Sequence, residues 1–139
     1  MEKIYSKVEP GRLLHIVQRV NEITKSRVDV IPADNFLQLA VLKMENDKTF
    51  RPHKHNHKVI KYNKAIAQES WVVIKGKVKC ILYDLDDTIL TEPVLTQGDA
   101  SITLLGGHNF HIMQEDTIVY EFKTGPYEGQ TIDKEFINE

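Results

Sequence analysis

The residues with the chemistry of a site are His53 and His55 in the run RPHKH, Glu69 seven residues before Gly76, and His108 in GGH. Three imidazoles and one carboxylate are donors that a first-row transition metal takes, with each nitrogen at roughly 2.0–2.1 Å. Side chains two apart on a strand share a face, so an HxH pair on a strand presents both rings together. A carboxylate and a third imidazole from neighbouring strands would complete a four-ligand set, leaving positions for water or a small molecule. Mixed N/O ligation of this kind suits Fe, Mn, Ni or Zn without choosing among them. The plainer reading of RPHKHNHK is a solvated loop flanked by lysines.

The elements that must position these side chains are mostly short strands. From residue 36 onward the apolar period is two, and candidate strands cover 36–44, 48–54, 69–75, 77–84, 88–95, 100–106, 108–114 and 117–123. Turn residues punctuate them at Lys75-Gly76, Gln97-Gly98-Asp99, Gly106-Gly107 and Glu115-Asp116. Many short strands with regular turns predict an all-β sandwich or barrel. Val78, Cys80 and Leu82 form an apolar face opposite Lys77 and Lys79; placing it inward also turns Glu69, Trp71 and Val73 inward. His108 shares its face with Phe110 and Ile112, whereas His111 lies on the other side, so one regular strand cannot supply both as ligands. The apolar neighbours favour His108.

Before residue 36 the pattern differs. Leu13, Leu14, Ile16, Val17, Val20 and Ile23 recur at helical spacing, and Ser6 and Glu9 have capping-box spacing just before Pro10. These features predict one amphipathic α-helix over about 10–24. Residues 1–35 are expected to be this helix and its lead-in, within the same domain as a barrel over 36–139. The segment 124–139 reads as an irregular tail lying over that barrel.

Composition bounds the function classes. A chain of 139 residues fits one domain with one core. Eighteen basic and twenty acidic residues give a formal charge of −2, which supplies no global field for nucleic acid. The single Cys80 cannot form an internal disulfide and leans towards a reducing compartment. The N-terminal MEKIYSKVEP has no apolar signal core, and no apolar run reaches membrane-spanning length. A cytoplasmic protein without a membrane partner is the expectation, as a homodimer through edge strands or the N-terminal helix.

The motif set resembles the cupin superfamily. His53-Lys54-His55 matches the HxH of its first motif, and Glu69 with Gly76 after six residues matches that motif's Glu and Gly. Gly98-Asp99 and Gly106-Gly107-His108 match the opening and close of its second motif. The likeness covers about residues 36–127. It is nearer still to small cupins carrying PHxH, a long insertion before the Glu, GGH and a C-terminal GPY, here Gly125-Pro126-Tyr127. Such cupins are often associated with bacterial surface-polysaccharide and sugar-nucleotide genes. The resemblance implies a cupin-type double-stranded β-helix, or jelly-roll barrel, with a divalent metal held by His53, His55, Glu69 and His108. Three departures stand out. Thirteen residues separate His55 from Glu69 where the common motif has three or four; the early motif glycine is missing; and Leu104-Leu105 replaces the usual Pro before the closing glycines. A one-residue slip in that last alignment makes His111 the rival ligand.

Other features carry two readings each. Lys58, Lys61 and Lys64 in the insertion, with Lys54, would attract a phosphate or carboxylate at a barrel mouth, or form an ordinary solvated loop. Trp71, Tyr83, Phe110 and Tyr120 read mostly as barrel packing; Trp71 and Phe110 are the aromatic candidates for contact with a sugar or base, with Tyr62 and Tyr127 weaker ones. Asp84, Asp86 and Asp87 lack the Gly and distal Glu of a calcium loop and read as a hairpin turn. Cys80 reads as a buried small residue rather than a nucleophile. Three functions follow from the whole: a metal-dependent cupin acting on a sugar or sugar nucleotide, a metal-independent sugar-nucleotide isomerase or epimerase using His53 or His55 for proton transfer, and a non-catalytic ligand-binding cupin.

Overall fold

The period-two pattern is realised as β-structure, and it extends further towards the N-terminus than the sequence suggests. The computed structural model describes residues 1–55, 66–125, 129 and 134–137. These form eleven strands: β1 (Glu2–Tyr5), β2 (Leu13–Gln18), β3 (Arg27–Asp29), β4 (Ala40–Leu42), β5 (Glu69–Lys75), β6 (Lys77–Tyr83), β7 (Ile89–Thr91), β8 (Val94–Thr96), β9 (Ala100–Thr103), β10 (His108–Ile112) and β11 (Ile118–Lys123). The fold is all-β. Among the described residues no helix is long and apolar enough to cross a membrane.

The helix expected over 10–24 is instead β2 followed by a 3-10 turn at Val20–Glu22. The physical reason is burial on both faces. Ile16 belongs to one apolar cluster and Val17 to another, and Leu14 is also fully buried. A strand covered on both sides shows no alternation, so its apolar run is also compatible with helical spacing. Ser6 and Glu9 do make a capping-type contact, the Glu9 amide donating to Ser6 Oγ at 2.8 Å, but it closes the β1–β2 hairpin. Residues 48–54 form no strand either. Positions 43–55 are exposed throughout, Phe50 included, and Pro52 has no amide hydrogen for a ladder. The run expected over 88–95 is split into β7 and β8 around Glu92-Pro93 for the same reason.

Two sheets face each other. One has the order β1-β2-β9-β5-β11; the other has β10-β6-β7, with β8 also paired to β6. Between them lie Ile4, Val17 and Val73 from the first sheet and Val78, Cys80, Leu82 and Leu95 from the second. The far side of the first sheet is covered as well. There Ile16, Val30, Ile31, Ala100, Ile102 and Leu104 pack with residues of the small β3–β4 sheet. No ladder joins the two large sheets among the described residues, so the architecture is two facing sheets rather than a barrel closed by hydrogen bonds.

Two buried carboxylates pin the loops. Asp84 accepts from Ser6 Oγ and the Lys7 amide, both at 2.6 Å, and from the Leu85 amide at 2.8 Å. Burial alone would push this carboxyl up, but the hydrogen bonds from Ser6, Lys7, Leu85 and Val8 outweigh it and hold it down at about 2. The aspartates of 84–87 thus form a hairpin turn, as their spacing suggests. Asp99 accepts from Arg19, the Val20 amide and the Thr96 amide at 3.0–3.1 Å, which ties the 3-10 turn to the β8–β9 connection.

Candidate functional site

A polar layer crosses the interior at one end of the two sheets. In the larger sheet His15 lies opposite Thr103, Thr103 opposite Glu69, and Glu69 opposite Lys123, forming one row across four strands. From the facing sheet, β10 places His108 over this row. His108 Nε2 and Glu69 Oε1 are 3.1 Å apart, with the side chains 22% and 9% exposed. The contact joins the sheets without a backbone ladder. Each partner arrives on the face that strand phase assigns it: Glu69 lies two positions before Trp71, which packs on the core between the sheets, and His108 pairs with inward-facing Leu82 of β6. His111 is exposed on the opposite face of β10.

The charges of this layer favour an ionised carboxylate. Burial pushes the Glu69 carboxyl up, but the His108 hydrogen bond and the charges of His108, Lys134 and Lys123 hold it below its ordinary range. A carboxylate only accepts, so His108 donates through Nε2–H. Its Nδ1 is buried and has no hydrogen-bond partner among the described residues. A buried polar atom left in this way calls for a ligand of its own.

One layer deeper, Trp71 and Phe110 stack across the two sheets with ring centroids 3.9 Å apart and planes 8° from parallel. They form an apolar floor beneath Glu69 and His108. The faces they turn to each other are used in packing, as the packing reading expects, while Trp71 Nε1–H donates to Glu121 at 3.1 Å. Tyr83 is also buried. Tyr120 is not packing: it is exposed on the outer side of β11. Cys80 is fully buried, and burial pushes its thiol up to about 11, where it stays protonated and inert.

Behind the pair stands His15, a residue hidden in sequence inside the apparent helical stripe. It is fully buried, with Nε2 2.9 Å from the Tyr83 carbonyl and Nδ1 3.1 Å from Thr103 Oγ1. A carbonyl cannot donate, so Nε2 carries the hydrogen and Nδ1 accepts from the Thr103 hydroxyl. Burial lowers its pKa to about 4, aided by the nearby His108 and opposed by the Tyr83 bond and Asp84. The Tyr83 amide in turn donates to the Gly107 carbonyl at 2.9 Å, so His15 braces the turn that delivers His108. Gly106 is required in that turn: its φ is +84°, and a Cβ would sit 2.7 Å from the Tyr83 carbonyl oxygen. Tail residue Ile137 lies against Gly107, and Lys134 is near enough to act on Glu69.

The other two expected donors are placed elsewhere. His53 and His55 lie on exposed chain, their rings 5.4 Å apart, with His53 Nδ1 bonded to the Arg51 carbonyl at 3.0 Å. That bond leaves Nε2 as the lone-pair nitrogen of a neutral His53 ring. Among the described residues no group of three or more His, Cys, Asp or Glu side chains is assembled for a metal ion. Lys58, Lys61 and Lys64, together with Tyr62 and Tyr127, lie outside the described residues.

Glu69 and His108 bring one carboxylate oxygen and one imidazole nitrogen to 3.1 Å, an ordinary hydrogen-bond distance. Both groups are donor types that a divalent ion takes. His15, Thr103, Glu121 and Lys123 were not singled out by sequence. For Glu121 and Lys123 the alternation misleads: on β11 the polar side chains face the opposite sheet, and Tyr120 and Phe122 face out. No family model, curated protein or solved structure matches the chain.

Proposed function

We propose that this chain is a cupin-type jelly roll that binds a small polar molecule, such as a sugar or sugar nucleotide, at the Glu69–His108 end of its sheets. The observation that carries this reading is the cross-sheet contact between Glu69 and His108 above an apolar floor, with His108 Nδ1 left without a partner. A buried imidazole–carboxylate pair that is still reached by solvent can bind a ligand hydroxyl, hold a proton or ligate an ion.

A divalent metal fits this reading. Glu69 and His108 would hold it, and His53 and His55 of the RPHKH run, which lie on exposed chain apart from the pair, would have to approach to complete the set. When bound, such an ion would polarise a carbonyl or hydroxyl of the ligand. The chain's own groups do the rest. Trp71 and Phe110 exclude water from below, Lys123 and Lys134 keep the carboxylate ionised, and His15 and Thr103 back the strand ends from within.

The direct Nε2–Oε1 hydrogen bond favours a second, metal-free reading. There Glu69 orients an imidazole for proton transfer, a role that falls on His108 rather than on the exposed His53 or His55. Metal content separates the two. Purified protein is expected to bind one of Zn²⁺, Mn²⁺, Ni²⁺ or Fe²⁺ and to lose that binding in His108→Ala and His53→Ala. Protein that binds none of the four but turns over a nucleotide sugar in a His108-dependent way would replace the metal reading with the acid–base one.

A further inference from the structure

Strand β11 is at the edge of the five-stranded sheet and, among the described strands, pairs only with β5. One rank of its amides and carbonyls is therefore directed away from the sheet. An edge of this kind is a template for another strand, and proteins that avoid pairing blunt it with charge, proline or a short length. This edge is six residues long, without proline, and its outward side chains are Ile118, Tyr120 and Phe122, 48%, 56% and 53% exposed. The inner face of this edge carries Glu121 and Lys123 and its pairing with β5 shifts register between Ile118 and Val119, but the outer face offers three large apolar side chains with no charge among them.

We propose that β11 pairs antiparallel with β11 of a second copy, extending the sheet through a two-fold axis at Phe122. The strand's own charges select this occupant and this register. Glu121 and Lys123 of one strand already lie 3.4 Å apart. Centred on Phe122, the pairing sets Glu121 opposite the partner's Lys123, and the reverse, so the two ion pairs join into one alternating set of four charges on the inner side. On the outer side it sets Phe122 against its own copy, with Tyr120 within diagonal reach of the partner's Phe122. Centred on Glu121, the same pairing would oppose two carboxylates, which is destabilising. Centred on Tyr120, it would set Glu121 against the partner's Val119 and give no opposite-charge pair. Such a two-fold contact is isologous and closes at two copies, so it does not propagate into fibres. An N-terminal helix, the other interface expected from sequence, is absent from the fold.

Sedimentation of the full chain tests the proposal. The wild type should be a dimer, and Tyr120→Lys combined with Phe122→Lys should be monomeric at the same concentration with an unchanged circular dichroism spectrum. If the double variant does not fold, Phe122→Cys decides. Cys80 is buried, so oxidation should link the chains through position 122 and give a dimer on non-reducing gels. A monomeric wild type overturns the proposal. So does a dimer that persists in the folded lysine variant, or a wild-type dimer whose Phe122→Cys form does not cross-link.

Discussion

At the scale of single residues, His15 is expected to weaken the fold in mild acid. Its pKa falls from an ordinary 6.5 to about 4 on folding, so between those values the unfolded chain binds the proton more readily. Stability contributed by the neutral ring is full above about pH 6.5 and is lost as pH falls towards 4, to a total of about 3 kcal/mol. Asp84, held at about 2 in the fold, has its loss only below the ordinary carboxyl range near 3.8, so the two steps separate. Thermal unfolding of wild type between pH 5 and 6.5 should show a falling midpoint. In His15→Gln, which keeps an amide donor for the Tyr83 carbonyl and cannot titrate, that slope should flatten; an equal slope would remove His15 as its source. Cys80 gives a second check at this scale. A thiol reagent should leave the native protein unmodified and label one thiol per chain after denaturation; rapid labelling of native protein would contradict its burial.

At the scale of elements, the turns and the inner face of β6 were legible because each carries a strong local signal. Gly76 is such a case. It sits at φ +93° between β5 and β6, and a Cβ there would lie 2.9 Å from Thr117 Cα and collide with Thr117 Oγ1. Gly76→Ala should lower stability by about 1–3 kcal/mol through backbone strain alone, with the clash added. A variant with an unchanged unfolding midpoint would contradict this. Three elements were not legible. The run LLHIVQ is buried on both sides, which erases the alternation that marks a strand. The RPHKH run alternates but has no apolar face to bury, so its pattern does not translate into a ladder. On β11 the alternation is present but inverted. Tyr120 and Phe122 face out and Glu121 and Lys123 face in, because Glu121 accepts from Trp71 and Lys123 stands opposite Glu69. Period alone tells which side chains share a face and not which face is inner.

At the scale of the whole molecule, the site depends on two sheets meeting without a shared ladder. The apolar layer of Val17, Val73, Cys80, Leu82 and Leu95 fixes their spacing, and the polar layer of His15, Thr103, Glu69, Lys123 and His108 sits at its end. Strand phase was enough to bring Glu69 and His108 onto facing surfaces, because each lies on a regular strand next to an apolar neighbour. It was not enough for His53 and His55, which are on no strand. The most direct test is a calorimetric titration of metal-stripped protein with Zn²⁺, Mn²⁺, Ni²⁺ and Fe²⁺, run on wild type, His108→Ala and Glu69→Gln, each shown folded by circular dichroism. The account predicts one ion per chain for at least one of these metals, with affinity weakened roughly tenfold or more in both variants. No binding by wild type, or equal binding by all three proteins, would contradict it.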